Sequence, residues 1–205
     1  MLTAFTAGLL LITISELGDK TFCIAMILAM RHSRRLVFIG VVAALAAMTA
    51  LSVLMGQAVS FLPKTYIWYA EISLFIGFGL KLLYDAYRMP VCPACDDIEE
   101  AKETIEQAGL MDSGAGVNYS VVVQAFLLTF VAEWGDRTQF ATIALAASNN
   151  PWGVTIGATL GHAVCAAIAV VGGRLVAGRI SERVVTALGG GLFIIFGIAA
   201  AIQGK

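Results

Sequence analysis

Four carboxylates stand near the middle of segments apolar enough to cross a bilayer, and they come as two matching runs. The first is Ser15-Glu16-Leu17-Gly18-Asp19-Lys20-Thr21 and the second is Ala132-Glu133-Trp134-Gly135-Asp136-Arg137-Thr138. Both read acid, apolar, glycine, acid, base, threonine. A charged side chain at the centre of a membrane helix costs about 2.5–3.5 kcal/mol. Summed over Glu16, Asp19, Glu133 and Asp136 the cost reaches about 10–14 kcal/mol, as large as the net stability of a whole domain. Acids placed there require partners, water or a cation.

The apolar setting follows from composition. A chain of 205 residues that is 59% hydrophobic and 13% charged, with a mean hydropathy of +0.86, exposes too much apolar surface for one soluble core. It reads as an all-α integral membrane protein. Apolar runs of about 20 residues or more cover roughly 4–30, 36–61, 66–89, 119–148, 152–177 and 184–203, six expected spans. Pro63, Pro90 and Pro151 punctuate the joins, where a missing N–H does no harm. The N-terminus lacks a basic region ahead of its apolar run and a small-residue cleavage site behind it, so it reads as a retained first span. No basic arm interleaved with aromatics is present, which leaves nucleic-acid binding without support.

Lys and Arg in the connections set the orientation. Arg31, Arg34, Arg35, Arg88, Lys102, Arg179 and Arg183 collect on one side, while Lys64 and Lys205 lie on the other. The first side is expected to be cytoplasmic and both termini non-cytoplasmic, in a bacterial inner membrane or a thylakoid-like one. The connection 90–118 carries seven acids, and Ile98, Ala101, Ile105 and Ala108 recur in it at helical spacing. It is expected to be an acidic cytoplasmic linker with a short amphipathic surface helix.

An offset of 117 residues relates Glu16 to Glu133, Asp19 to Asp136, Gly40 to Gly157 and Gly56 to Gly173 without a gap. The chain is therefore read as a duplication: a three-helix repeat over 1–89, the linker, and a second three-helix repeat over 119–205. An odd number of spans per half inverts the second half, and a pseudo-two-fold axis in the membrane plane would bring the acidic runs together at mid-depth.

Within one helix Glu16 and Asp19 would share a face, as would Glu133 and Asp136. Gly18 and Gly135 permit local unwinding or a close backbone approach, either of which would add backbone carbonyls to the ligand set. Ser15, Thr21, Thr138 and Gln139 supply further oxygens, and Lys20 and Arg137 would pair across the axis or close a gate. An all-oxygen set suits Ca²⁺, Mn²⁺ or Mg²⁺ rather than Zn²⁺ or Cu⁺. Protons and metal then compete for the same oxygens, which yields cation/proton antiport if the cluster faces one side at a time. The expected partners are a divalent cation, protons and the lipid bilayer; a homo-oligomer is compatible with the chain, and no resident cofactor is expected.

The two E-x-G-D-[KR]-T runs, one per three-span half around an acidic connection, strongly resemble uncharacterised protein family 0016, the cation/proton exchangers of Golgi, thylakoid and bacterial membranes. The resemblance implies export of Mn²⁺ or Ca²⁺ from the cytoplasm in exchange for protons. It implies Glu16, Asp19, Glu133 and Asp136 as metal ligands, with Lys20, Thr21, Arg137 and Thr138 as their motif neighbours. The chain lacks the long N-terminal extension of eukaryotic members, which points to a bacterial source.

Other readings rank lower. Gly-Asp pairs in two spans also occur in intramembrane aspartyl proteases, but the position two before each pair is Glu16 or Glu133 rather than the glycine those enzymes want. A passive channel would move cations without protons. Glu71 is expected to snorkel to the interface, with a role as an acid of an outer vestibule as the alternative. His162 is expected to be a buried imidazole bonded to a neighbouring helix, Trp134 to pack, and Gly153, Gly157 and Gly161 to form a close-packing stripe. Cys92 and Cys95 form a CxxC that cannot complete a zinc site alone.

Overall fold

The computed structural model describes residues 1–88, 101–103, 105, 118–176 and 182–203. Its helices are α1 (Leu2–Glu16), α2 (Lys20–Arg31), α3 (Arg34–Val59), α4 (Lys64–Arg88), α5 (Asn118–Ala132), α6 (Arg137–Ser148), α7 (Pro151–Val176) and α8 (Glu182–Gln203). Most of the acidic connection, with Cys92 and Cys95, lies outside the described residues. Of that connection Ala101 and Ile105 are fully buried in the main apolar cluster, against α2 and the first half of α3.

Among the described residues, α3, α4, α7 and α8 each contain a stretch long and apolar enough to cross a membrane. The outward-facing surface is apolar: Ile39, Leu54, Leu80, Leu127, Ile156 and Ile195 are all exposed. A water-soluble protein does not present such a surface around its whole girth, whereas one solvated by lipid does. Tyr66, Tyr69, Tyr84, Tyr87 and Trp152 are exposed at helix ends, where ring and hydroxyl or indole N–H meet the headgroup region. The chain is an all-α integral membrane protein.

Two of the expected spans are not continuous helices. The 4–30 run divides into α1 of 15 residues and α2 of 12, and the 119–148 run divides into α5 and α6 at the equivalent place. At 1.5 Å per residue neither piece covers a hydrocarbon core of about 30 Å alone. Both interruptions fall inside the acidic runs.

The helices pack in reciprocal fashion. Gly40 of α3 lies so close to α5 that a Cβ there would meet Val122 O and Ala125 Cβ, and Gly157 of α7 presses against the Phe5 backbone of α1. Gly40 and Gly157 are equivalent under the 117-residue offset, and so are Phe5 and Val122. The two contacts are thus related by the same offset. Gly153 against Met1 and Gly161 against Leu9 extend the α1–α7 approach, as the four-residue glycine stripe predicts. Helices α4 and α8 flank this core and meet through Gly79 and Gly190, with Phe75, Phe78, Phe193 and Phe196 filling the seam between them.

Candidate functional site

Each acidic run is a helix, a break and a second helix. Glu16 is the last residue of α1; Leu17 is extended, Gly18 adopts φ +84°, and Asp19 takes the N-cap position of α2. In the second run Glu133 follows α5, Gly135 adopts φ +82°, and Asp136 is the N-cap of α6. The local sequence accounts for both breaks. Glycine enters the left-handed region at no steric cost and ends a helix, and aspartate is among the preferred residues to start the next. The expectation that Glu16 and Asp19 share one helix face is therefore corrected, as is that for Glu133 and Asp136. The break has its own consequence, because carbonyls at the ends of α1 and α5 and N–H groups at the starts of α2 and α6 lose their intrahelical partners.

Neither Gly18 nor Gly135 has an atom within 4 Å of where a Cβ would stand, so space does not select glycine; the positive φ does. Gly18→Ala is expected to cost about 1–2 kcal/mol from backbone strain alone, with Gly18→Asn milder because asparagine tolerates this region better. Thermal unfolding of the purified variants checks the order; alanine better tolerated than asparagine would contradict it.

Tertiary packing brings the runs together. Carboxylate oxygens of Glu16, Asp19 and Glu133, one from each residue, lie within 4.8 Å of one another. Glu16 is 2% exposed and Glu133 3%. Thr21 Oγ1 donates to Glu16 Oε2 at 3.3 Å, and Arg137 Nη2 donates to Asp19 Oδ1 at 3.0 Å, an ion pair that joins the two halves. Thr138 lies beside Glu16, and Thr21 beside Glu133. Several buried oxygens find no hydrogen-bond partner among the described residues: Ser15 Oγ, Glu16 Oε1, Thr129 Oγ1 and Glu133 Oε1. Orphaned acceptors of this kind in a dry interior are costly. A hard cation would satisfy them together.

Asp136 lies outside this 4.8 Å group but beside it, near enough for its charge to reach Glu16 and Glu133. Its Oδ2 accepts from Thr138 N at 3.3 Å and Thr138 Oγ1 at 3.1 Å, so it caps α6. Gln139 Oε1 accepts from Gly135 N at 2.7 Å and braces the turn. Lys20, half-buried, begins α2 just after Asp19. A crevice lined by Ser15, Gly18, Asp19, Arg137 and Gly189 reaches this centre from between α4 and α8.

Residues outside the motifs are placed more unevenly. His162 is buried as expected, but its Nδ1 has no hydrogen-bond partner among the described residues, and it shares a small cavity with Glu16, Thr21 and Cys165. Trp134 is 62% exposed and touches Phe130 at a centroid distance of 5.8 Å, so its packing is at the surface. Glu71 does not snorkel: it is 7% exposed and accepts a hydrogen bond from Ser148. Thr129, one turn ahead of Glu133 and fully buried, was not singled out by its sequence, although a lone hydroxyl one helical turn before a membrane acid is the signal that finds it.

The family model for the divalent cation/proton antiporter GDT1 matches residues 4–90 and 121–205. The chain is 61% identical over 200 residues to GDT1-like protein sll0615 of Synechocystis, covering 98% of this chain and 97% of the relative. It is 41% identical over 209 residues to GDT1-like protein 3 of Oryza sativa subsp. indica, covering 96% and 73%. It is 40% identical over 210 residues to the chloroplastic PAM71-homolog of Arabidopsis thaliana, covering 96% and 58%. No solved structure matches.

Proposed function

Because the chain belongs to the GDT1 family of divalent cation/proton antiporters, we propose that it exports Mn²⁺, Ca²⁺ or both from the cytoplasm in exchange for protons, by alternating access. The observation that carries this reading is the convergence of Glu16, Asp19 and Glu133 oxygens within 4.8 Å in a buried setting with unsatisfied hydroxyls around them. Glu16, Asp19 and Glu133 would hold the ion directly, with Ser15 and Thr21 adding oxygens and Thr138 positioned by the Asp136 cap. Like charges this close repel strongly in a low dielectric. Either a doubly charged ion or protons relieve that repulsion, and each excludes the other, which is the coupling an exchanger needs.

The reciprocal glycine contacts support two inverted repeats, in which α1 with α2 and α5 with α6 each make one interrupted crossing, six crossings in all. On this reading the residues form repeats 1–89 and 119–205 joined by the linker 90–118, with both termini on the non-cytoplasmic face. The two halves then occupy unequal states. Asp19 pairs with Arg137 while Asp136 caps its own helix; in the alternate state the equivalent pairing would join Asp136 to Lys20 and release Asp19. Asp136 thus enters the ligand set when Asp19 leaves it.

In proteoliposomes loaded with a pH indicator, Mn²⁺ or Ca²⁺ added on one side is expected to drive protons to the other, and acidifying the cation side is expected to suppress the exchange. A panel of Mn²⁺, Ca²⁺ and Mg²⁺ in one preparation ranks the substrates. Cation uptake with no proton movement would make the protein a channel and end the antiport reading.

A further inference from the structure

The duplication is not faithful everywhere, and one departure lies at the far end of α6 from the acidic run. Glu71 of α4 is 93% buried in the sense that only 7% of it is exposed, and Ser148 Oγ at the end of α6 donates to its Oε2 at 2.5 Å. Among the described residues none of the Lys or Arg side chains forms an ion pair with it. Gly79 against Ile194 and Gly197 against Ile76 relate α4 to α8 by an offset of 118, so the residue equivalent to Glu71 is Gly189 and the pseudo-symmetry does not call for an acid here. A carboxylate buried within a membrane protein without a basic partner marks a candidate functional position.

Glu71 forms part of the wall of an open cavity of about 810 Å³, shared with Ser60, Lys64, Trp68, Asn149 and Ala200. Three helices end at this cavity: α3 at Val59, α6 at Ser148 and α8 at Gln203. Helix C-termini present partial negative charge and carbonyls without intrahelical partners. Helix α4 starts at the same cavity with Lys64, and Trp68 Nε1 already donates to Ala200 O, so the preference for a cation rests on the Glu71 carboxylate itself.

Along α6 and the adjoining part of α3, between the acidic run and this cavity, Thr142, Thr49 and Ser52 are buried. Thr49 and Ser52 each donate to a carbonyl one turn earlier in α3, and Gly56 of α3 is set against Ile143 and Ala146 of α6. The residues related to them by the 117-residue offset are Ala25, Ala166 and Ala169. Hydroxyls thus stand on this side of the acidic runs where methyl groups stand on the other.

We propose that Glu71, with the Ser148 hydroxyl, is a second carboxylate subsite for the divalent cation, at the cavity end of the path that begins at Glu16, Asp19 and Glu133. This rests on the antiport reading for its physiological meaning, and direct binding tests it independently of transport. Mn²⁺ titrated into the purified protein, with free ion followed by electron paramagnetic resonance, is expected to reveal a tighter and a weaker class of site. Glu71→Gln, which keeps the Ser148 hydrogen bond, removes the weaker class or raises its half-saturation at least about tenfold. Glu71→Asp restores most of it and Ser148→Ala weakens it less, while Glu16→Gln with Glu133→Gln removes the tighter class and leaves the weaker. A Glu71→Gln isotherm that superimposes on that of the unmodified protein overturns the subsite, and so does one in which both classes weaken equally. If the isotherms separate as expected but Mn²⁺ drives no protons, the subsite stands and the antiport reading falls.

Discussion

Glu16→Gln or Glu133→Gln is expected to lower cation-driven proton movement at least about 100-fold, equivalent to about 2.7 kcal/mol or more at 1.36 kcal/mol per factor of ten. Glutamine keeps the size of the side chain and its acceptor oxygen but can neither bear the charge that holds a divalent ion nor carry the exchanged proton. The same substitution is expected to leave the unfolding temperature of the cation-free protein unchanged or raised. Glu16 and Glu133 belong to one trio of carboxylates whose oxygens lie within 4.8 Å, so neutralising either relieves a repulsion between buried like charges. Opposite signs for activity and stability distinguish a ligand from structural glue. A glutamine variant that exchanges cations at the unmodified rate, or one that unfolds before it can be reconstituted, would contradict this assignment.

The largest expected effect on the fold belongs to Gly157→Val. A Cβ at Gly157 would run into the Phe5 backbone, which cannot move aside as the tip of a flexible side chain can. Separating α1 from α7 costs about 3 kcal/mol or more, at the top of the range for overpacking, and moves Glu16 at the end of α1 with it. Gly40→Val is expected to match it, because Gly40 makes the exchanged contact with Val122 on α5. Gly77→Val on α4 is the control: nothing lies within 4 Å of a Cβ there, and its backbone needs no special φ. Thermal unfolding in detergent separates the three. Equal destabilisation by Gly77→Val and Gly157→Val would show that valine in a membrane helix, rather than close approach, sets the cost.

Much of this architecture was legible in the sequence because membrane chains obey few rules strictly. The apolar runs, the exposed aromatic ends and the glycine stripe follow from the hydrocarbon thickness and from the need of two helices to approach closely. Gly18 and Gly135 marked where unwinding was permitted, but the sequence alone kept each pair of acids on one helix face; that glycine followed by aspartate acts as a stop and a start there emerged only from the backbone. The suggestion that a base of one run meets the acid of the other is realised by Arg137 and Asp19. Less legible was the unequal use of equivalent residues. Asp19 and Asp136 occupy the same motif position, yet one forms an ion pair and the other caps a helix. One visible difference between the runs is the base after each acid: a guanidinium presents a planar fork of donors and an ammonium a compact point charge.

The amino-acid sequence by itself determined that this chain lives in lipid, where its helices are permitted to unwind, and which oxygens are available to a cation, because those are consequences of local composition and backbone sterics. Only the tertiary structure decided that Glu16, Asp19 and Glu133 converge while Asp136 does not, and that Glu71 turns inward to Ser148 across 77 residues of chain. The reason is that a carboxylate in an apolar helix goes wherever a donor is nearest in space. Which donor that is depends on helices far apart in the chain, brought together where glycines let backbones touch.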